Sequence, residues 1–302
     1  MNERHEGSVI AIHGALVSVQ VGDTTMVVAA RRKLQWEKGQ PEAARLVVGD
    51  QVYLEINGND GVIVGVKQRR SSMIRRAAHG RRPQILAANV DQALIVFAAG
   101  TPKPKQGLID RFLVATYLAG IEGIITINKR DQGLKGIERW LKIYEELGYR
   151  VLRVSARTGW GLGQIRRLLE DRTTLFCGPS GVGKSSLLNA VYPGFRLKVG
   201  SISEATGKGK QTTTMGELMP LPFGGFVVDT PGLKEFGLWN VTAKEIEAAF
   251  PEIASLAIGC HFPNCSHLHE PDCRVRDAMR AEEIDNARYR TYKSLIEERK
   301  DD

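Results

Sequence analysis

Thr174-Leu-Phe-Cys-Gly-Pro-Ser-Gly-Val-Gly-Lys-Ser-Ser-Leu-Leu-Asn189 is the stretch from which the fold is read. From Gly178 through Lys184 to Ser185 it matches G-x-x-x-x-G-K-[ST]. Leu175, Phe176 and Cys177 predict a buried strand before it, and Leu187, Leu188, Ala190 and Val191 predict a helix that begins at Lys184. Bound phosphate needs that order of parts. Glycines let the backbone curl so that successive N–H groups point inward, and a helix N-terminus adds partial positive charge. Lys184 is placed to reach the β- and γ-phosphates of a nucleotide, and the Ser185 hydroxyl to ligate Mg²⁺. The candidate phosphate-binding set is Gly178, Pro179, Ser180, Gly181, Val182, Gly183, Lys184, Ser185 and Ser186. A glycine-rich turn that happens to end in Lys-Ser is the bland alternative, and the flanking strand and helix argue against it.

Which base accompanies the phosphates is read upstream. Ile124-Ile-Thr-Ile-Asn-Lys-Arg-Asp131 is an apolar run that ends in Asn128, Lys129, Arg130 and Asp131. A carboxylate at a strand end accepts from guanine N1–H and the exocyclic amine. Adenine offers neither donor and would leave the Asp131 carboxylate unpaired. The Lys129 stem can lie along the base plane. Val151-Leu-Arg-Val-Ser-Ala156 supplies a further strand whose end, at Ser155 and Ala156, offers the Ala156 N–H to guanine O6. Downstream, Phe226-Val-Val-Asp-Thr-Pro-Gly232 ends a strand at Asp229, placed to hold Mg²⁺ through water, and the Gly232 N–H can face the γ-phosphate.

These pieces are the five elements of a Ras-like GTPase in a permuted order. The base-reading elements precede the phosphate loop, and the switch elements, Lys210-Gln-Thr-Thr-Thr214 and Asp229–Gly232, follow it. Together with a β-rich N-terminal segment and a C-terminal Cys/His cluster, this circular permutation resembles the bacterial small-ribosomal-subunit-dependent GTPase family (RsgA/YjeQ). The resemblance covers nearly the whole chain. It implies an α/β P-loop GTPase domain, circularly permuted, between an N-terminal OB-type β-barrel and a C-terminal zinc-binding helical domain. It also implies GTP/GDP and Mg²⁺ as ligands, and late maturation of the small (30S) ribosomal subunit as the setting, with rRNA contact and stimulation by 30S.

The bounds of the chain agree. Its 302 residues are enough for several domains with full cores, and the net charge of +8 suits a polyanionic partner. No apolar run is long enough to span a membrane and the first residues carry no secretory pattern, so a cytoplasmic protein without a membrane partner is expected. A monomer is expected as well. Five short β-rich runs between Ser8 and Val66 suit an OB-type barrel. The expected division is a barrel over residues 1–75, a basic linker over 76–90, the GTPase domain over 91–238 and the zinc-binding domain over 239–302. RNA contact is expected at Arg31–Lys38, which carries Trp36. It is expected also at Lys67, Arg69, Arg70, Arg75, Arg76, Arg81 and Arg82, a run without an acidic residue. A solvated linker would explain the same charges.

Leu197 through Thr214 is poor in apolar residues and suits a loop ordered by ligand. Thr213 is the favoured Mg²⁺ ligand among Thr212, Thr213 and Thr214. Leu233 stands after Gly232, where Ras-like enzymes place a water-orienting Gln. Gln211 stands where the family often has a His; it can hydrogen-bond water but cannot act as a base near neutral pH. Slow intrinsic hydrolysis follows. Cys260-x4-Cys265-x-His267-x5-Cys273 predicts a closed, structural Zn²⁺ site, with His261 and His269 as lesser alternatives to His267. Little apolar sequence surrounds that loop, so metal binding is expected to be part of its folding energy. Arg274–Arg299 reads as one helix, packed through Val275, Met279, Tyr292, Leu295 and Ile296. A nucleotide-gated RNA switch acting elsewhere is the runner-up function; an ATPase or small-molecule kinase is disfavoured by Asn128–Asp131.

Overall fold

A computed structural model describes residues 4–37, 45–58, 60–75, 84–195, 217–229 and 241–299. The phosphate-loop strand sits at the centre of its main sheet. Thr173–Cys177 (β11) pairs in parallel with Gln92–Ala98 (β8) on one side and Phe226–Asp229 (β13) on the other. Beyond β8 lie Glu122–Asn128 (β9) and Val151–Arg153 (β10), both parallel; beyond β13 lies Glu217–Pro220 (β12), antiparallel. The sheet order is therefore β10-β9-β8-β11-β13-β12. The base-reading strands β9 and β10 come before β11 in the chain, and the strand carrying Asp229 comes after it, as the permuted order of motifs predicts.

Both faces of the sheet are covered, so β8 is buried at every residue. Ala93, Ile95 and Phe97 face Ile109, Phe112 and Leu113 of the helix Gln106–Leu118 (α1), and Leu141 and Tyr144 of Glu138–Glu146 (α2). Leu94, Val96 and Ala98 face the opposite layer, with Ile165 and Leu169 of Leu162–Leu169 (α3) and Leu187 and Leu188 of Lys184–Val191 (α4). The period-two alternation of one strand thus supplies two cores.

Arg4–His13, Leu16–Val21, Thr24–Trp36, Gln51–Asn57 and Asp60–Val66 (β1–β5) close a barrel in the order β1-β2-β3-β5-β4, with β3 and β5 parallel. This is the expected OB-type barrel. It is filled by Val9, Val17, Val19, Val28, Val52, Leu54, Ile63 and Val66.

Two features differ from expectation between barrel and sheet. Ser72–Arg75 (β6) pairs with Gln84–Ala88 (β7), so part of the stretch read as linker is a strand. Ala88 N–H donates to the Val48 carbonyl at 2.9 Å, and Met73, Ala87, Val48 and Ile10 join the core beneath the GTPase sheet. The basic run is also less free than its composition suggests. Arg69 is buried against Asp50 at 2.6 Å, and Lys67 and Arg70 pair with Glu6 and Asp91 at the surface. Arg76, Arg81 and Arg82 lie outside the described residues.

The C-terminal helices are Ala243–Ala248 (α5), Pro251–Ala257 (α6), Arg274–Arg280 (α7) and Asn286–Glu298 (α8). The single helix read over Arg274–Arg299 is therefore two. α7 stops because Glu282 adopts φ +60° while Glu283 N–H bonds the Ala278 carbonyl at 2.9 Å and Glu282 N–H that of Met279 at 3.2 Å. That stop usually carries glycine, so the sequence conceals it. Asp285 then caps α8, accepting from the Ala287 and Arg288 N–H groups.

Candidate functional site

The phosphate loop is built against its neighbours. Gly178 has φ +129°, and a Cβ there would sit 2.1 Å from the Val96 carbonyl oxygen. Gly183 has φ +92°, and a Cβ there would meet the Asn128 amide at 2.5 Å. Only glycine fits either position. Lys184 and Ser185 are buried at the first turn of α4. The Lys184 ammonium donates to the Gly178 and Pro179 carbonyls, both at 2.8 Å. It is thus held at the mouth of the loop by weak acceptors that an anionic phosphate would outcompete.

Asn128, at the end of β9, joins this loop to the base-reading loops. Its amide donates to the Val182 carbonyl at 2.9 Å, and its oxygen accepts from Ala156 N–H at 3.1 Å. Lys129, in the left-handed region at φ +59°, sends its ammonium to the Thr101 and Gly181 carbonyls at 2.6 and 2.7 Å. Its stem therefore runs beside a cavity of about 440 Å³ lined by Asn128, Lys129, Asp131, Ala156, Gly183 and Ser186, among others. Asp131 accepts from the Ser155 hydroxyl at 2.5 Å and pairs with Arg157 at 2.8 Å. The Ser155 hydroxyl first, and the Arg157 charge as well, hold its carboxyl below the usual carboxylate range, so it is an ionised acceptor. A carboxylate, a backbone N–H and a lysine stem around one cavity match the hydrogen-bonding edge of guanine. Arg130 goes elsewhere: it lies over the Trp160 ring at 4.1 Å and lines a second cavity of about 290 Å³ behind Asp131.

In the C-terminal region, Cys260, Cys265, His267 and Cys273 bring their ligand atoms within 4.8 Å of one another. Cys260 Sγ lies 3.8 Å from Cys273 Sγ, and His267 Nδ1 lies 3.5 and 3.4 Å from those two sulfurs. A tetrahedron with metal–sulfur bonds of about 2.3 Å and metal–nitrogen bonds of about 2.0 Å has edges of roughly 3.8 and 3.5 Å. The donor set therefore fits a zinc ion. Burial pushes the Cys265 thiol up to about 12 and raises Cys273 too, so a cation is what would keep these sulfurs as thiolates. His267 Nε2 meets the Glu247 carboxylate at 2.8 Å, the outer partner that fixes which ring nitrogen faces the metal. His261 and His269 are exposed and outside the cluster.

Comparison with known proteins gives the family. The RsgA GTPase family profile matches residues 66–239. A small ribosomal subunit biogenesis GTPase RsgA from Gemmatimonas aurantiaca is 41% identical over 263 residues, covering 85% of each chain. Its namesake from Saccharophagus degradans is 35% identical over 98% of this chain and 88% of its own. This chain belongs to the RsgA GTPase family. Among solved structures, YjeQ from Thermotoga maritima superposes with a TM-score of 0.78 at 29% identity over 98% of both chains. YloQ, described as a circularly permuted GTPase, superposes at 0.77 and 31% identity over 99% of this chain and 96% of its own.

As an RsgA-family GTPase the chain hydrolyses GTP, and its base and phosphate elements converge on one side of the sheet at the C-terminal strand ends. Gln211, Thr213 and Gly232 lie outside the described residues, and of Asp229 only the backbone is described. Thr101 and Arg157 are contacts the motifs did not name. Thr101 comes from the β8–α1 loop, which carries no motif of its own; Arg157 directly follows the Ser155-Ala156 pair and was legible only as the next residue. The C-terminal region also has more core than the sequence suggested. Ile246, Phe250, Ile253, Val275, Tyr289, Tyr292, Leu295 and Ile296 are buried together, along with Val114 of α1. Met279 packs at its margin.

Proposed function

We propose that this GTPase acts in biogenesis of the small ribosomal subunit, binding the 30S particle and its rRNA in a nucleotide-dependent way and being stimulated by it. The carrying observation is the full-length similarity to proteins bearing that name. In this reading Asp131 selects guanine, Ala156 N–H takes its O6, and Asn128 and Lys129 hold the base loop to the phosphate loop. Lys184 and the N–H groups of Ser180 to Ser186 take the phosphates, with Gly178 and Pro179 forming the start of the loop. Ser185 would hold Mg²⁺, with Asp229 and Thr213 as its further partners; the ion neutralises phosphate charge. Gln211 and the Gly232 N–H would serve the attacking water and the γ-phosphate. Cys260, Cys265, His267 and Cys273 would hold one structural Zn²⁺, which closes their loop. No helix among the described residues is long and apolar enough to cross a membrane.

Phosphate contact by the barrel side would draw on Lys67 and Arg70, whose surface pairs are cheap to exchange, but not on buried Arg69. The test is steady-state GTP hydrolysis with and without purified 30S particles, alongside 30S co-sedimentation with a non-hydrolysable GTP analogue and with GDP. Stimulated turnover and a nucleotide-dependent affinity are expected, with a difference of roughly 5–150-fold, the usual range for coupled sites. Equal affinities and unstimulated turnover would leave an incidental GTPase, and favour a nucleotide-gated switch on another RNA.

A further inference from the structure

The ion pair between Arg157 and Asp131 crosses the guanine site. Arg157 Nη2 lies 2.8 Å from Asp131 Oδ2, and Arg157 lines the same cavity of about 440 Å³ as Asn128, Lys129 and Ala156. Ser155 Oγ holds the other oxygen, Oδ1, at 2.5 Å. A carboxylate has about four acceptor positions, so one hydroxyl on Oδ1 leaves room for guanine N1–H. The guanidinium on Oδ2 is different. The edge of guanine that a carboxylate reads, N1–H, C2 and the exocyclic amine, is itself a guanidine-type donor fork, and the arginine head presents the same fork. Both therefore ask for the same oxygen lone pairs.

We infer that Arg157 is a place-holder for guanine: it pairs with the Asp131 carboxylate and competes with the nucleotide for it. This rests on the proposed reading of Asp131. Geometry favours competition over a fixed structural bridge. The Arg157 side chain is 77% exposed and the Asp131 side chain 12%, so the arginine can swing into solvent without desolvation cost. The carboxylate is the better held of the two, through the hydroxyl of buried Ser155, whose own N–H is bonded to the Trp160 carbonyl at 2.9 Å. Release runs the same way in reverse: as guanine leaves, Arg157 recaptures Oδ2, so Asp131 is not left bare. Arg157 thereby weakens GDP and GTP alike and eases exchange. The effect is small because the pair is exposed and screened.

The experiment uses the full-length protein and fluorescent N-methylanthraniloyl GDP and XDP, in wild type, Arg157→Ala, Arg157→Gln, Asp131→Asn and Asp131→Asn/Arg157→Ala, across a salt series. Arg157→Ala and Arg157→Gln are expected to bind GDP tighter than wild type by roughly two- to fivefold at low salt. That advantage should shrink toward unity as salt screens the pair. Asp131→Asn should exchange GDP for XDP preference, and adding Arg157→Ala to it should change XDP affinity no further. Weaker GDP binding by Arg157→Ala, or affinities equal to wild type, would overturn the place-holder while the Asp131→Asn switch stood. Unchanged GDP affinity in Asp131→Asn would instead overturn Asp131 as the base reader, and the inference with it.

Discussion

Asn128 shows how much a single buried amide can organise. It is 1% exposed, and through Val182 and Ala156 it ties the phosphate loop to the loop that meets the base. Asn128→Ala would strand the Val182 carbonyl in a buried place and leave the half-buried Ala156 N–H without its side-chain partner. The expected cost is about 1–3 kcal/mol of stability in the nucleotide-free protein, together with weaker GDP binding. Lys129→Ala removes bonds of similar length to Thr101 and Gly181, but these are exposed. It should weaken GDP binding while changing stability far less. Denaturant unfolding with and without GDP separates the two; equal destabilisation by both would show that burial of Asn128 is not what matters. The Asn-Lys-x-Asp spacing reveals these residues in the sequence. It does not reveal that Arg157 already occupies Asp131, because that pairing depends on a side chain reaching across from the next loop.

Among the elements, the loop from Cys260 to Cys273 is the one whose ligand spacing can be read directly. Its surroundings could not be. The expectation that losing the metal would loosen the C-terminal region assumed little apolar support. Yet Tyr289 and Tyr292 of α8 donate their hydroxyls to the His267 and Ser266 carbonyls at 2.6 and 3.1 Å. Glu270 accepts from the Ser266, Leu268 and His269 N–H groups. Burial alone would raise the Glu270 carboxyl, but the hydrogen bonds from Ser266 and from the His269 backbone outweigh it and hold it well below the usual range. Cys265→Ser should therefore release one zinc per chain, seen by elemental analysis, and speed amide exchange from Cys260 to Cys273. The packed helices α7 and α8 should remain protected, and GDP binding should survive. Global loss of protection in α8 would restore the metal as the main support.

At the scale of the molecule, the C-terminal helices are locked to the GTPase domain by Arg288. It is 1% exposed on α8, and donates to Asp110 of α1 at 2.7 Å and to Glu252 of α6 at 2.5 Å. Tyr144 of α2 donates to the same Asp110 oxygen at 2.7 Å, and Phe250 lies 4.8 Å from the guanidinium. Paired on both sides, Arg288 stays charged despite its burial. Arg288→Met would leave Asp110 and Glu252 facing each other without a cation, and is expected to cost about 3–5 kcal/mol. The triple change Asp110→Leu, Glu252→Gln and Arg288→Met should recover much of that, because no buried charge remains. Denaturant midpoints measure both. A single mutant as stable as wild type would show that the helices are held by the apolar cluster alone.

The chemistry of this chain was local in sequence, and so legible there. The turn of Gly178 to Ser185, the strand ends at Asn128–Asp131 and Ser155-Ala156, and the Cys/His spacing are each short segments whose residue types follow from the ligand. Their order along the chain already implied the permutation, because the segments around Asn128–Asp131 and Ser155-Ala156 precede the phosphate loop while Asp229–Gly232 follows it. Tertiary structure decided everything that depends on partners distant in sequence. Whether a cation was spare was one such matter: Arg69 went into a buried pair with Asp50, and Arg157 onto the Asp131 carboxylate. Another was whether a polar stretch was linker or strand, since β7 exists by pairing with β6 and by its bond to Val48. A charge pattern or an apolar period states what a residue requires, and only the folded chain supplies the neighbour that meets the requirement.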